Sequence, residues 1–237
     1  MNDWSNFLGL PLWFWLFILP SFLTLACFLL NKRIKPVLEP IWKILDIIYL
    51  CSGIIAAISM CLILLIIIAQ MATRWTGIIF EGSTEFAGYA MAATSFFALA
   101  YSLGKGSHIR VSIFLNMNSF TTKWLDAFAL FTASLIATYF ARFALKSNFM
   151  SEMLNDRTQG QDKIPEAFIN LIAMLGTYPK DWALLWSSYE GKWIFTPVWV
   201  PQLPMSIGTI LLAICLWDHL SRLAVNGFSA IEHDIVK

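Results

Sequence analysis

The chain has 237 residues, of which 58% are hydrophobic, 15% aromatic and only 13% charged, where an ordinary soluble domain is roughly a quarter charged. Sixteen basic and fifteen acidic residues nearly cancel to a formal +1, which leaves neither a basic field for nucleic acid nor a disordered acidic tail. The balance excludes a nucleic-acid-binding role and describes a chain built for lipid.

A helix needs about 20 mainly apolar residues to cross a bilayer, and five stretches meet that length: 8–30, 46–71, 84–104, 124–145 and 198–220. The sequence therefore predicts an all-α integral membrane protein, a helical bundle in a single membrane domain over 1–237. The first stretch is not read as a secretory signal, because Asp3 is the only charge before it and no basic residue precedes it. Pro11 and Pro20 lie within it, and a membrane helix tolerates proline where neighbours satisfy the freed backbone groups. Residues 31–45 hold Lys32, Arg33, Lys35 and Lys43 together with Pro36, Pro40 and the apolar Val37, Leu38, Ile41, Trp42 and Leu45. This segment is expected as a linker, either lying in the plane of the cytoplasmic interface or simply connecting two spans.

Asp46 falls in the opening turn of the second span, and Arg74 and Trp75 follow its far end. The third opens with Ser83, Thr84 and Glu85, where a hydroxyl is expected to cap and a carboxylate suits the positive helix end. It runs into GKGSHIRVS, residues 104–112, which carries Lys105, His108 and Arg110. Gly104 and Gly106 allow the helix to stop and the chain to reverse. Arg110 has a planar five-donor head suited to locking this turn to neighbouring helices or lipid, with His108 supporting it by hydrogen bonding; the alternative is that both are simple positive-inside anchors. Asp126 lies in the first turn of the fourth span and Arg142 at its outer end, where a long stem can snorkel.

The connection 146–197 is too long to be structureless. Within it IPEAFINLIAML places Pro165 at a helix start, and DWALLWSSY repeats Trp182, Leu185, Trp186 and Tyr189 at helical spacing. Both pieces are too short to span and are expected to lie on the outer membrane surface or against a partner. The last span closes on Asp218 and Arg222, an i, i+4 pair.

Lysine and arginine set the orientation. They concentrate after the first span, after the third (Lys105, Arg110, Lys123) and beyond the last (Arg222, Lys237), whereas the link between the second and third holds only Arg74. The amino terminus is thus expected outside, the carboxyl terminus in the cytoplasm, and the long connection outside. None of the five spans has an acid or base near its centre, as an autonomous transporter of a polar solute would require. Gly53, Ser59, Gln70, Thr94, Ser95, Thr132, Ser134 and Thr138 instead suit close helix packing. Cys27, Cys51, Cys61 and Cys215 lie in apolar runs without C-x-x-C spacing, so neither disulfide nor zinc site is expected. No nucleophile–base motif or phosphate loop occurs. No enzyme, metal or cofactor is expected, although His108 and His219 at the same face leave a bis-histidine haem topologically open.

Arg74–Trp75 at one helix end, Glu85 and Tyr89 opening the next, His108-Ile109-Arg110-Val111 after it, and Pro204 and Gly208 early in the last helix resemble the small membrane subunit, DctQ type, of tripartite ATP-independent periplasmic (TRAP) transporters. The resemblance covers roughly 44–145 and 197–222. Ser112 stands where the family continues with aspartate, and the first helix and the 146–197 connection look like additions to a four-helix pattern. The resemblance implies a bacterial inner-membrane subunit forming part of the static scaffold for a large, elevator-type DctM subunit. A periplasmic solute-binding receptor would deliver the solute, in sodium-coupled uptake of an organic anion. Arg110, His108, Arg74, Glu85 and Tyr89 are then candidates for contact with the large subunit or with membrane lipids. The alternatives are a cytochrome-b-like membrane anchor of a redox complex, which would show a haem absorption band, and an autonomous small transporter or channel, which would pass solute alone.

Overall fold

A computed structural model describes residues 6–105, 119–187 and 191–226. The architecture is a bundle of long helices: α1 (Leu19–Thr76), α2 (Ser83–Gly104), α3 (Ser119–Met153) and α6 (Trp199–Asn226). Between the last two lie the short helices α4 (Glu166–Gly176) and α5 (Trp182–Ser187). Among the described residues, four helical stretches are long and apolar enough to cross a bilayer: Lys35–Thr76, Ser83–Gly104, Trp124–Met153 and Trp199–Asn226. The apolar Phe14–Leu30 is shorter. It begins with a π-helical turn, Phe14–Ile18, preceded by the two-residue strands β1 (Asn6–Phe7) and β2 (Leu10–Pro11).

The expected linker at 31–45 is helical backbone inside α1, and Asp46 therefore lies within a helix instead of opening one. A straight helix of 58 residues would be roughly 90 Å long, three times the thickness of a hydrocarbon core. α1 is not straight. Trp15 and Leu16 lie beside Arg142 and Leu145, and Phe28 stacks on Trp124 toward the opposite end of α3. The early chain thus runs antiparallel to α3. By Asp46 it has turned to run back beside α6 and α2, where Asp46 reaches Arg222, Tyr49 reaches Asp218, and the Ser52 hydroxyl donates to the Phe97 carbonyl. The reversal falls between Phe28 and Asp46, the stretch that holds Pro36 and Pro40. Proline removes an i→i−4 bond and sterically opens the turn before it, so the residues that connect the two antiparallel stretches can bend while keeping helical backbone.

The centre of the bundle is the α3–α6 seam. Ala127, Leu130, Ala137 and Ala141 face Ala213, Leu216, Leu220 and Leu223, the two sets recurring at three-, four- and seven-residue intervals as a one-sided helix contact requires. Three alanines on α3, set mainly against leucines of α6, let the axes approach closely. Gly208 brings α6 against α2: a Cβ there would lie 2.5 Å from the Phe96 carbonyl oxygen, so only glycine fits. α3 continues two turns past the apolar run that ends at Leu145, because those turns have polar partners on α6. Asn148 donates to the Trp199 carbonyl at 2.9 Å, and Ser151 bonds Gln202 at 3.1 Å.

The long connection is closed at its base by β3 (Lys163–Pro165) and β4 (Trp193–Phe195), paired antiparallel with Ile164 opposite Ile194. The excursion between them holds α4 and α5, close to the two helical pieces expected from sequence. Trp182 Nε1 donates to the Met174 carbonyl at 2.9 Å, satisfying one of the acceptors that a helix end leaves open.

Candidate functional site

Polar side chains gather at the two ends of the bundle. At one end the connection docks on the start of α2. The turn before α2 ends at Gly82, whose φ of +75° is the left-handed region; a Cβ there would meet the Asp162 Cα and the Gln161 carbonyl oxygen at 2.9 Å. Gly82 thus supplies both the turn and the room for 160–162 to lie on it. No side chain caps α2, so the expected hydroxyl cap is replaced by this glycine turn. Glu85, in the first turn, accepts from the Gln161 backbone N–H at 3.3 Å.

One helical turn on, the Tyr89 hydroxyl donates to the Asp162 carboxylate. That carboxylate also accepts from the Thr158 hydroxyl at 2.8 and 2.9 Å, while the Asp162 carbonyl accepts from the Thr196 hydroxyl at 2.6 Å. Asp162 is fully buried. Burial alone pushes its pKa up, but the hydrogen bonds that the carboxylate accepts, from Tyr89 and Thr158, outweigh it and hold the carboxyl below the ordinary range. The cluster is a clamp: it ties the middle of the connection and its closing strand to α2, and its members are engaged with one another.

At the other end Arg222 of α6 sits between two carboxylates. Its Nη2 is 2.7 Å from Asp46 and 2.9 Å from Asp218, its Nη1 reaches Asp46 at 3.3 Å, and its Nε reaches Asp218 at 3.2 Å. Nη2 also donates to the Trp42 carbonyl, and the guanidinium lies 5.6 Å from the Trp42 ring centroid. Tyr49 completes the set by donating to Asp218 at 3.3 Å. Only a planar fork of donors serves two carboxylates and a carbonyl at once. Asp218 and Arg222 form the expected i, i+4 pair; Asp46, 176 residues away in sequence, turns that pair into a bond between α1 and α6. Next to it is a cavity of about 360 Å³ lined by Tyr101, Lys105 and His219.

The outward faces are apolar. On α1, Ile44, Ile47, Ile54, Ile58, Leu65 and Ile68 are exposed and recur at helical spacing. A stripe of this length has no place in water and marks contact with lipid or another chain. Beyond it Trp75 and Ile79 are more than 80% exposed, and Arg74 is exposed beside them, lining a notch with Gln70, Thr73 and Phe80.

Of the residues singled out from sequence, Glu85 and Tyr89 are brought together by the clamp, and Arg74 lies on a different surface. His108 and Arg110 lie outside the described residues. Asp162, Thr158 and Thr196 were not found from sequence: Tyr89 and Asp162 are 73 residues apart, and no short motif links them. Arg142 also differs from expectation. α3 runs on to Met153, so Arg142 is 11 residues inside the helix end and not at it; Asp126, expected in the first turn, lies about two turns in.

The sequence model of the family described as tripartite ATP-independent periplasmic transporters, DctQ component, matches residues 63–178. The match takes in Arg74, Glu85, Tyr89 and Asp162 and ends within the long connection, so the first part of that connection is not an addition to the family pattern. Residues 6–62 and α6 lie outside it. No curated protein and no solved structure matches the chain.

Proposed function

Because the chain belongs, through residues 63–178, to the DctQ component family of TRAP transporters, we propose that it is the fixed scaffold on which a large DctM-type membrane subunit works. The pair would take up an organic anion with sodium, delivered by a periplasmic receptor, across the bacterial inner membrane. The chain is a multi-pass membrane protein, and the excess of lysine and arginine in alternate links supports an outside amino terminus, an outside long connection and a cytoplasmic carboxyl terminus. The observation that carries the scaffold reading is the direction of the polar bonds. Arg222 with its carboxylates, and Asp162 with its hydroxyls, join this chain's own elements at both ends. What it presents outward is the apolar stripe of α1. Fixed ends and an apolar flank suit a part that holds still while its neighbour moves.

Arg110, with His108 beside it, is the proposed lock between the turn after α2 and neighbouring helices or lipid, and Arg74 the contact at the opposite end. Arg110→Lys keeps the charge and removes the fork; it should weaken co-purification with the large subunit and reduce uptake, with solute binding by the isolated receptor unchanged. Equal recovery and uptake in that variant would remove Arg110 from the interface. The functional reading is tested in proteoliposomes with a sodium gradient. Uptake should require this chain, the large subunit and the receptor together. Flux through this chain alone would establish an autonomous transporter instead, and a haem absorption band in the purified chain would establish a redox anchor.

A further inference from the structure

Helix α4 is turned inside out for a segment in water. At helical spacing Glu166 and Asn170 share one face, and Phe168, Leu171 and Ile172 lie on the other. Phe168 and Leu171 are the exposed ones, at 53% and 56%, whereas Glu166 and Asn170 are half-buried and engaged within the chain. α4 packs on α5 and β3, and α5 in turn exposes Trp182, Leu184 and Trp186. A contiguous apolar surface of this kind marks contact with something other than water.

Its height in the molecule identifies the contact. Asp162 is held by the Tyr89 hydroxyl, six residues after the start of α2 at Ser83, so it lies within the first two turns of a helix that spans the membrane, roughly 9 Å from the end. β3 follows directly, and α4 opens at Glu166, at most about 14 Å of extended chain from Asp162. On the return, β4 ends at Phe195, four residues before α6 starts its span at Trp199. The excursion is rooted at both ends at the level of the span termini, where lipid headgroups lie. Its composition matches that level: Tyr178, Trp182, Trp186 and Trp193 are exposed, and such amphipathic rings line membrane–water interfaces. The neighbouring turn repeats the pattern. Gly82 packs on Asp162, and just before it Trp75 and Ile79 stand exposed beside Arg74, an aromatic and a cation at a span end as interfacial anchoring requires.

We propose that α4 and α5 form an interfacial anchor, lying in the plane of the bilayer surface with Phe168, Leu171, Leu184 and Trp186 inserted at the boundary of headgroups and acyl chains. Because the connection is also clamped to α2 through Asp162, the anchor would set the depth and tilt of this end of the bundle. The proposal requires only that the chain span a membrane. It does not depend on the solute, the sidedness or the scaffold role, and it can fail without them.

The test uses the full chain, without partners, in nanodiscs of phosphatidylethanolamine and phosphatidylglycerol, which leave both membrane faces open to solvent. A genetically encoded fluorescent amino acid replaces Phe168 in one protein and Leu184 in another; both positions are exposed, so neither probe displaces packed neighbours. Phospholipids brominated near the carbonyl end of their acyl chains should lower the fluorescence at each position at least twofold. Aqueous iodide should quench each probe at most about one third as efficiently as it quenches the free amino acid. A probe at either position that ignores brominated lipid and is quenched by iodide like the free amino acid would overturn the proposal. So would loss of quenching by brominated lipid when the large subunit or the receptor is added, since the surface would then belong to a protein.

Discussion

Arg222 is 12% exposed at its side chain, and its partner Asp218 only 2%. Removing one member of such a set leaves a buried charge without its fork, which is the expensive outcome for ion pairs in a low-dielectric setting. Arg222→Lys keeps the charge but reaches at most part of the set formed by Asp46, Asp218 and the Trp42 carbonyl. We expect it to destabilise the purified protein by roughly 1–3 kcal/mol, seen as a lower melting temperature in detergent. An unchanged melting temperature would show that the fork geometry contributes nothing. Asp162 makes a prediction in pH. Its carboxyl is held below its ordinary pKa in the folded chain, so it contributes stability that is present above the unfolded value of about 3.9. That contribution is lost as pH falls through the lower folded value. Protection of the connection against an acid-active protease should therefore persist at pH 5 and fall away below about 4, with Asp162→Asn flattening the dependence. A wild-type profile identical to that of the asparagine variant would remove the carboxylate from the clamp.

At the scale of elements, two glycines on different helices give opposite expectations from the same change. Gly208 meets the backbone of Phe96 across the α2–α6 contact, and an added methyl would lie 2.5–2.7 Å from it. Backbone cannot swing aside as a side chain does, so Gly208→Ala must push the helices apart and lower thermal stability. Gly88 in α2 has nothing within 4 Å of its built Cβ. Gly88→Ala should be neutral or stabilising by up to about 1 kcal/mol, the helix-propensity difference. Equal effects of the two substitutions on melting temperature would contradict the packing described. The elements themselves were unequally legible. The apolar runs located α2 and α6 to within a few residues at their starts, and Pro165 with the tryptophan spacing located α4 and α5. The continuity of α1 was hidden because Pro36 and Pro40 among four cations read as a break, when they bend a helix without ending it. The last two turns of α3 were hidden because their reason for being helical lies on α6, at Trp199 and Gln202. Three-residue strands such as β3 and β4 carry too little pattern to be read at all.

Over the whole molecule, the membrane character and the resemblance to a transporter subunit were legible from composition and from residues such as Arg74, Glu85 and Tyr89. The bonds that would make a scaffold were not. Arg222 finds Asp46 across 176 residues, and Tyr89 finds Asp162 across 73; partners so distant appear only when the chain is folded. The central claim is that this chain holds still during transport. It is tested most directly by locking α3 to α6 where they touch, at the Ser206 hydroxyl, 3.3 Å from the Ala144 carbonyl. A Ser206→Cys, Ala144→Cys pair bridged by a short bifunctional reagent, assembled with the large subunit and receptor in proteoliposomes, should take up solute at the rate of the same protein before bridging. Arrest of uptake on bridging, restored when the bridge is cleaved, would show that these helices move with the solute and would contradict the scaffold account.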